Sequence, residues 1–124
     1  MGVPSRLPEG WPVEVPPPGS DDFESTAVAW LFDLVPADYR LHQVLRRYPV
    51  VLARMAHQHV DACLLAARDG YRTARHDLRQ AVPQHGVEAV LEAYRHEGRR
   101  LAAAAKGVAL VERALQERAT AAAA

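Results

Sequence analysis

The residue types that could do chemistry in this chain are its six histidines and its one cysteine, Cys63. His59 and Cys63 are four residues apart, so on a helix they lie one turn apart and could hold a soft metal ion. Both fall on a predicted apolar stripe, where a core histidine and an inert buried thiol are more common. Glu92 and His96 have the same spacing, with Glu88 a turn earlier, but the paired Glu-x-x-His motifs of di-iron bundles are missing. We expect no metal site and no cofactor.

Motifs that position catalytic groups are also missing from the sequence. There is no Gly-rich phosphate loop, no Gly-x-Ser-x-Gly elbow and no His-Glu-x-x-His pair. Catalysis needs a preorganised pocket with convergent polar groups. A thin alanine-lined helical hairpin offers little room for such a pocket, so we predict that the protein is not an enzyme. A small-molecule or metal-binding helical bundle is kept as an alternative.

Four arginines form a stripe along one predicted helix, because their spacings of four, three and four residues keep them on one face. They are Arg68, Arg72, Arg75 and Arg79. Such a stripe could bind phosphate or an acidic partner. It could equally be a solvated face, or one neutralised by acidic residues of the same chain. A nucleic-acid-associated regulator is therefore an alternative, but no recognition-helix motif supports it.

The N-terminal segment is rich in proline. Six of the nine prolines fall within residues 1–18, so this stretch cannot be helical, and we predict an extended arm over residues 1–19. Trp11, flanked by Pro12 and followed by Pro17, could dock into a groove of a partner. Trp11 could equally pack on the hairpin of its own chain. These three residues and the four arginines of the stripe are the candidate partner-binding residues.

Apolar spacing predicts the helices. Ser20 is a candidate N-cap for a helix over residues 21–34, and a short helix follows over residues 38–47. The helix 21–34 has an apolar face of Phe23, Ala27, Trp30, Leu31 and Leu34. A long helix extends from Pro49 to Val82, unless a turn at Asp69-Gly70 divides it. The domain covers residues 20–118, and residues 119–124 form a frayed tail.

The last predicted helix, from about Gly86 to Arg118, carries an apolar residue at every seventh position, which is typical of a helix that packs along its length against another. These residues are Val87, Tyr94, Leu101, Val108 and Leu115. The short connection Pro83-Gln84-His85 makes the two long helices antiparallel neighbours over residues 49–118. With the turn centred on Gln84, Gly70 would face Gly98, and the backbones would meet closely there.

The predicted fold is therefore all-α, with a Pro-rich arm, short helices and a long antiparallel helical hairpin. The heptad seam is longer than the other predicted elements can cover, so a second subunit or another protein would complete the bundle. We predict a non-enzymatic protein–protein interaction or scaffold protein, with a homodimer favoured.

Composition narrows the class of protein further. Fifteen basic and fifteen acidic residues balance, which argues against a general affinity for polyanions. The balance hides an acidic segment, since residues 1–38 hold seven acidic residues against Arg6 alone. One cysteine excludes an internal disulfide framework. With no apolar run near the ~18 residues of a membrane span and no signal-peptide pattern, we expect a cytoplasmic protein without a membrane partner.

The first half of the chain carries a series of segments that resembles a group of small bacterial proteins. The segments are Leu7-Pro8-Glu9-Gly10-Trp11-Pro12, Pro17-Pro18-Gly19, Thr26-Ala27-Val28-Ala29-Trp30-Leu31, Asp38-Tyr39-Arg40 and the stretch 44–54. In these it is similar to small uncharacterised proteins of actinobacterial type. The resemblance implies a bacterial cytoplasmic setting, and it implies no activity, cofactor or site residue.

Overall fold

In the computed structural model, which describes residues 7–123, all regular structure is helical. The elements over this range are α1 (Phe23–Leu34), a 3-10 helix (Ala37–Leu41), α2 (Gln43–Arg47), α3 (Pro49–Leu78) and α4 (Gln84–Ala123). The predicted all-α class is confirmed. Residues 1–6 of the predicted arm and Ala124 of the predicted tail lie outside the described residues. No helix between residues 7 and 123 is long and apolar enough to cross a membrane.

Helices α3 and α4 form the antiparallel hairpin. Helix α3 begins at Pro49, whose fixed φ angle and missing N–H suit a first helical position. It continues through Gly70 without a break, so the alternative of a turn at Asp69-Gly70 is wrong. Helix α4 reaches Ala123, and the predicted frayed tail is therefore wrong over residues 119–123. Alanine has the highest helix propensity, which explains why the helix persists there.

The elements before the hairpin differ from the prediction in detail. The backbone of His42 is extended, with φ −96° and ψ 101°, and it divides the predicted helix 38–47 into the 3-10 helix and α2. Helix α1 begins at Phe23, and Ser20 contributes its carbonyl oxygen, 3.1 Å from the Phe23 nitrogen, with no side-chain cap. Ser20 is therefore not the N-cap of α1, and Asp22 occupies that position.

The part of the arm that the structure describes, residues 7–19, is free of helix as predicted but does not stay extended. The amide of Trp11 donates to the Pro8 carbonyl at 3.0 Å, and the amide of Val15 donates to the Pro12 carbonyl at 3.2 Å. Gly10, with φ 93°, supplies the left-handed position that the first of these turns needs. Proline and glycine favour turns as well as extended chain, and here they fold the arm back onto the hairpin.

The seam between α3 and α4 pairs small residues with large ones. On α4, the predicted heptad is confirmed, since Val87, Leu101, Val108 and Leu115 are buried and Tyr94 is half-buried. Helix α3 carries a heptad of its own with smaller side chains: Ala53, Val60, Ala67 and Ala74 are buried at intervals of seven. Small residues on one helix let the larger residues of the other reach across, so the two helices pack closely.

The register of the hairpin differs from the prediction, and the predicted contact of Gly70 with Gly98 is wrong. The ring of Tyr94 lies against Gly70, whereas a Cβ added to Gly98 would meet nothing within 4 Å. Helix α3 ends at Leu78, earlier than expected, so the turn is centred before Gln84 and the pairing near the tip is displaced. Arg75 accordingly contacts Glu88, five residues before the position that the predicted register gives it.

Helix α1 closes the open end of the hairpin. Its side chains Phe23, Ala27 and Leu31 are fully buried against the hairpin, and the ring of Trp30 lies beside Gly107 of α4. At 1.5 Å per residue, α1 is about 18 Å long and α3 about 45 Å, so α1 covers only the base of the hairpin. At the tip, the buried cluster is small and comes from α3 and α4 alone: Ala74, Val87 and Leu91.

Candidate functional site

The Trp11 segment, a candidate partner-binding element, packs on its own chain. The Trp11 indole N–H donates to the Val15 carbonyl at 2.8 Å, and its ring centroid lies 6.1 Å from that of Phe23. Val15 is buried, and Pro12 lies against Gly107 beside Trp30. Pro17 is exposed. The contacts of Trp11 and Pro12 are those expected if the arm packs on the hairpin of its own chain.

Neighbouring acidic residues pair with two of the four arginines of the stripe. Arg72 pairs with Asp69 on the same helix, and Arg75 forms two hydrogen bonds, of 2.6 and 3.4 Å, with the carboxylate of Glu88 on α4. The hydrogen bond from Arg75 lowers the pKa of Glu88 below its usual value. Among residues 7–123, neither Arg68 nor Arg79 has an acidic partner, and Arg79 lies 3.5 Å from Nδ1 of His76. The four arginines therefore do not form one continuous cationic surface, and only Arg68 belongs to the feature described next.

An open groove runs between the two long helices on the tip half of the hairpin, with a volume of about 510 Å³. All of its walls come from α3 and α4: Ala67, Arg68, Tyr71, Tyr94, Arg95, Gly98, Arg99 and Ala102. Its floor is shallow because small residues line it, and the space over Gly98 is empty. The lining is mainly apolar, with three guanidinium groups at its edge. We call this feature the tyrosine–arginine groove.

Hydrogen bonds hold the wall of the groove in place. Arg95 donates to the Tyr71 hydroxyl at 3.0 Å and to the Glu92 carboxylate at 2.8 Å, and its guanidinium lies 5.3 Å from the Tyr71 ring centroid. The hydrogen bond to Tyr71, followed by the one to Glu92, raises the pKa of the Arg95 guanidinium. The hydrogen bond from Arg95 in turn lowers the pKa of Glu92. Arg99 is 3.6 Å from the same carboxylate. Two of the three arginines at the groove share the Glu92 carboxylate, and Arg68 has no acidic partner among the described residues. The positive charges there outnumber the negative one, so the groove suits an apolar ligand with acidic groups.

A second cluster, which the sequence analysis missed, lies at the base of the hairpin. The Glu112 carboxylate is buried in the α3–α4 interface, 2.7 Å from Nδ1 of His57. Nε2 of His57 is 3.4 Å from Asp61, and Arg54 and Gln116 lie 3.7 and 3.4 Å from the other oxygen of Glu112. A signal for this cluster was present, since Glu112 directly follows Val111 within the apolar heptad pattern. The histidine bridges two carboxylates, an arrangement that fixes the helices against each other.

The structure brings one of the predicted chemistry-bearing pairs together, His59 with Cys63. His59 and Cys63 are half-buried, with Nε2 and Sγ 3.5 Å apart, and the Tyr39 ring meets the His59 ring edge-on at 6.1 Å. Glu88 and Glu92 bind arginines, as described above. In the part of the chain that the structure describes, no three His, Cys, Asp or Glu side chains converge on a point where a metal ion could sit.

Comparison with known proteins does not identify a family. No protein-family model matches the chain, and neither a curated protein nor a solved structure shows significant similarity to it.

Proposed function

We propose that this protein is a non-catalytic protein-interaction module, and that the tyrosine–arginine groove binds an apolar helix of a partner that carries acidic residues. The observation behind the proposal is the groove itself, with small apolar residues on its floor and arginines at its edge. Helix-in-groove recognition needs an apolar trough in which side chains at helical spacing can seat. Tyrosine and arginine are the residue types enriched where protein interfaces concentrate their binding energy.

The charge of the groove favours an acidic partner over a second copy of the chain. In a symmetric dimer each groove would face its own copy, so that Arg68, Arg95 and Arg99 would meet three more arginines. Like charges placed across an interface disfavour association, whereas glutamates or aspartates on a partner helix would pair with the guanidinium groups. The homodimer expected from the sequence stays a prediction, and the experiment below distinguishes it from a complex with an acidic partner.

The paired arginines also weaken the case for nucleic acid. Binding to a duplex depends on several cations that are free to replace counterions at successive phosphates. Arg72 and Arg75 already face carboxylates, which leaves only Arg68 and Arg79 as stripe residues without an acidic partner among the described residues.

Site-specific photo-crosslinking tests the proposal. p-Benzoylphenylalanine is placed at Ala102, which lines the groove, or at Ala103, which is exposed on the neighbouring face of the same helix turn and does not line it. The two proteins are irradiated in native bacterial lysate, and the adducts are sequenced by tandem mass spectrometry. We expect an adduct at Ala102 only, with the cross-linked peptide rich in leucine and acidic residues.

A charge-reversed variant, Arg68→Glu, makes the test specific, because the adduct should disappear when the groove turns less basic. Equal adduct patterns at the two positions, or an adduct indifferent to Arg68→Glu, would refute the proposal. An adduct of twice the chain mass would indicate the homodimer instead, and an adduct sensitive to nuclease would indicate nucleic acid.

A further inference from the structure

A second surface, formed where three short stretches of chain meet, exposes large apolar side chains to solvent. Leu41, Val44, Tyr48 and Val51 are 79, 50, 50 and 39% exposed. They follow one another at intervals of three, four and three residues, from the end of the 3-10 helix through α2 to the first turn of α3. Half of the large apolar side chains that are exposed between residues 7 and 123 lie within these eleven residues. We call this surface the apolar corner.

The segment that carries the apolar corner is strongly basic. No aspartate or glutamate occurs between residues 39 and 60, a stretch that contains four arginines. Arg46 and Arg47 have no carboxylate partner among the described residues. The Arg46 guanidinium lies 5.0 Å from the Phe32 ring centroid, and the Arg47 guanidinium lies 5.7 Å from that of Tyr48. The two guanidinium groups are therefore held in place, Arg46 also by a hydrogen bond to the Arg40 carbonyl at 2.6 Å, and neither charge is neutralised by a carboxylate of the described residues.

An open hollow joins the two kinds of group. Gln43, Arg46 and Arg47 contribute polar atoms to its lining, and Val44 and Tyr48 contribute apolar ones. Guanidinium and amide groups are donors that suit phosphate oxygens. Aliphatic side chains and a tyrosine ring, placed directly beside those donors, suit the region of a bilayer where head groups meet acyl chains. The arrangement matches a molecule that is a phosphate at one end and a hydrocarbon at the other.

We propose that the apolar corner binds the surface of a membrane that contains anionic phospholipid, with Arg46 and Arg47 on lipid phosphates and Leu41, Val44 and Tyr48 in the interface. Bends at His42 and Tyr48 separate the short elements, so the exposed side chains stand on a corner and not along a trough for a partner helix. A soft lipid interface accepts such a corner without a complementary groove. Basic residues near an anionic leaflet add attraction that decreases with salt.

This proposal departs from the expectation of no membrane partner, which considered only spanning segments and signal sequences. It is independent of the tyrosine–arginine groove, which uses other residues of α3 and α4. The groove variant Arg68→Glu should therefore bind vesicles as the parent protein does. Failure of one proposal would therefore not count against the other.

Vesicle co-sedimentation tests it. The full chain is mixed with vesicles of phosphatidylcholine alone or with about one third phosphatidylglycerol, at low and at high salt. We expect sedimentation with the anionic vesicles only, and loss of it at high salt. Leu41→Asp should lower the bound-to-free ratio by about tenfold, because one inserted leucine is lost and a like charge is added. Leu65→Asp is the matched control, since Leu65 is 66% exposed and lies outside the apolar corner.

Charge reversal provides the second arm of the test. Arg47→Glu should weaken vesicle binding by about tenfold, whereas Arg113→Glu, an exposed arginine on α4, should change it far less. Circular dichroism verifies that each variant folds. The substituted side chains are exposed in the parent protein, so the substitutions leave the buried core unchanged. No sedimentation with anionic vesicles, or equal binding by Leu41→Asp and Leu65→Asp, would overturn the assignment to lipid and leave the apolar corner to a protein partner.

Discussion

The substitution His57→Ala tests the role of the buried carboxylate at the base of the hairpin. The Glu112 side chain is 6% exposed, and its closest partner is His57 Nδ1 at 2.7 Å. Without the imidazole, one carboxylate oxygen loses its partner, while Arg54 at 3.7 Å and Gln116 at 3.4 Å serve the other. A buried charged group left without a hydrogen bond costs about 2 kcal/mol or more. We expect His57→Ala to lower the free energy of unfolding by about that amount.

The assay is thermal and urea unfolding followed by circular dichroism. For a chain of this length, about 2 kcal/mol corresponds to a fall in Tm of about 8 °C. His96→Ala is the control, because His96 is an exposed residue within α4 and its replacement gives a similar gain in helix propensity. If the His57→Ala variant had the same Tm as the His96→Ala variant, the reasoning would be refuted.

The double variant His57→Leu with Glu112→Leu separates a buried charge from a lost contact. Replacing both polar partners by apolar residues leaves nothing unpaired and is often neutral or stabilising. We therefore expect the double variant to be more stable than His57→Ala. Equal stability of the two would show that the cost of His57→Ala comes from lost packing and not from the orphaned carboxylate.

Three further predictions concern the helix backbone, the arm and acid stability. Gly98→Ala should raise the free energy of unfolding by about 1 kcal/mol in urea titrations, because its Cβ enters empty space, whereas Gly70→Ala should gain less because its Cβ would collide with a tyrosine ring. Deleting residues 1–19 should lower Tm by about 10 °C in a thermal melt, since a buried valine and a half-buried tryptophan are lost. The lowered pKa of Glu88 gives stability that is full above its ordinary value of 4.5 and is lost as pH falls through the lower folded-state value. Melting at several pH values should show a smaller acid-induced loss for Arg75→Gln than for the parent protein.

The sequence was sufficient for the helices and for the α4 side of the seam. The seven-residue spacing of Val87, Leu101, Val108 and Leu115 depends only on local periodicity, and all four are buried. The α3 side was harder to predict, because α3 has alanines on both its buried and its exposed faces. The buried positions of α3 therefore do not stand out from its exposed positions in the sequence.

The register could not be predicted from the sequence because it depends on where α3 stops. The sequence predicts a turn at residues 83–85, but the helix ends at Leu78 and residues 79–83 belong to neither helix. A shift of a few residues changes which side chains meet, so the predicted contact of Gly70 with Gly98 was lost. The tyrosine–arginine groove was missed for the same reason, since its walls come from both helices and exist only in the true register.

The small residues that let the hairpin pack closely also make its tip easy to open. Around the groove, Ala67, Gly98 and Ala102 bury little apolar area, and the tip cluster contains only Ala74 and two larger residues. At the base, by contrast, α1 adds buried phenylalanine and leucine side chains to the same two helices. Because local stability follows buried apolar contact, amide hydrogens near the tip should exchange faster than those near the base. A partner helix in the groove would supply the missing contacts and slow exchange at the tip selectively. Uniform exchange along α3 and α4 in the free protein would contradict this account, which treats the groove as an incomplete core.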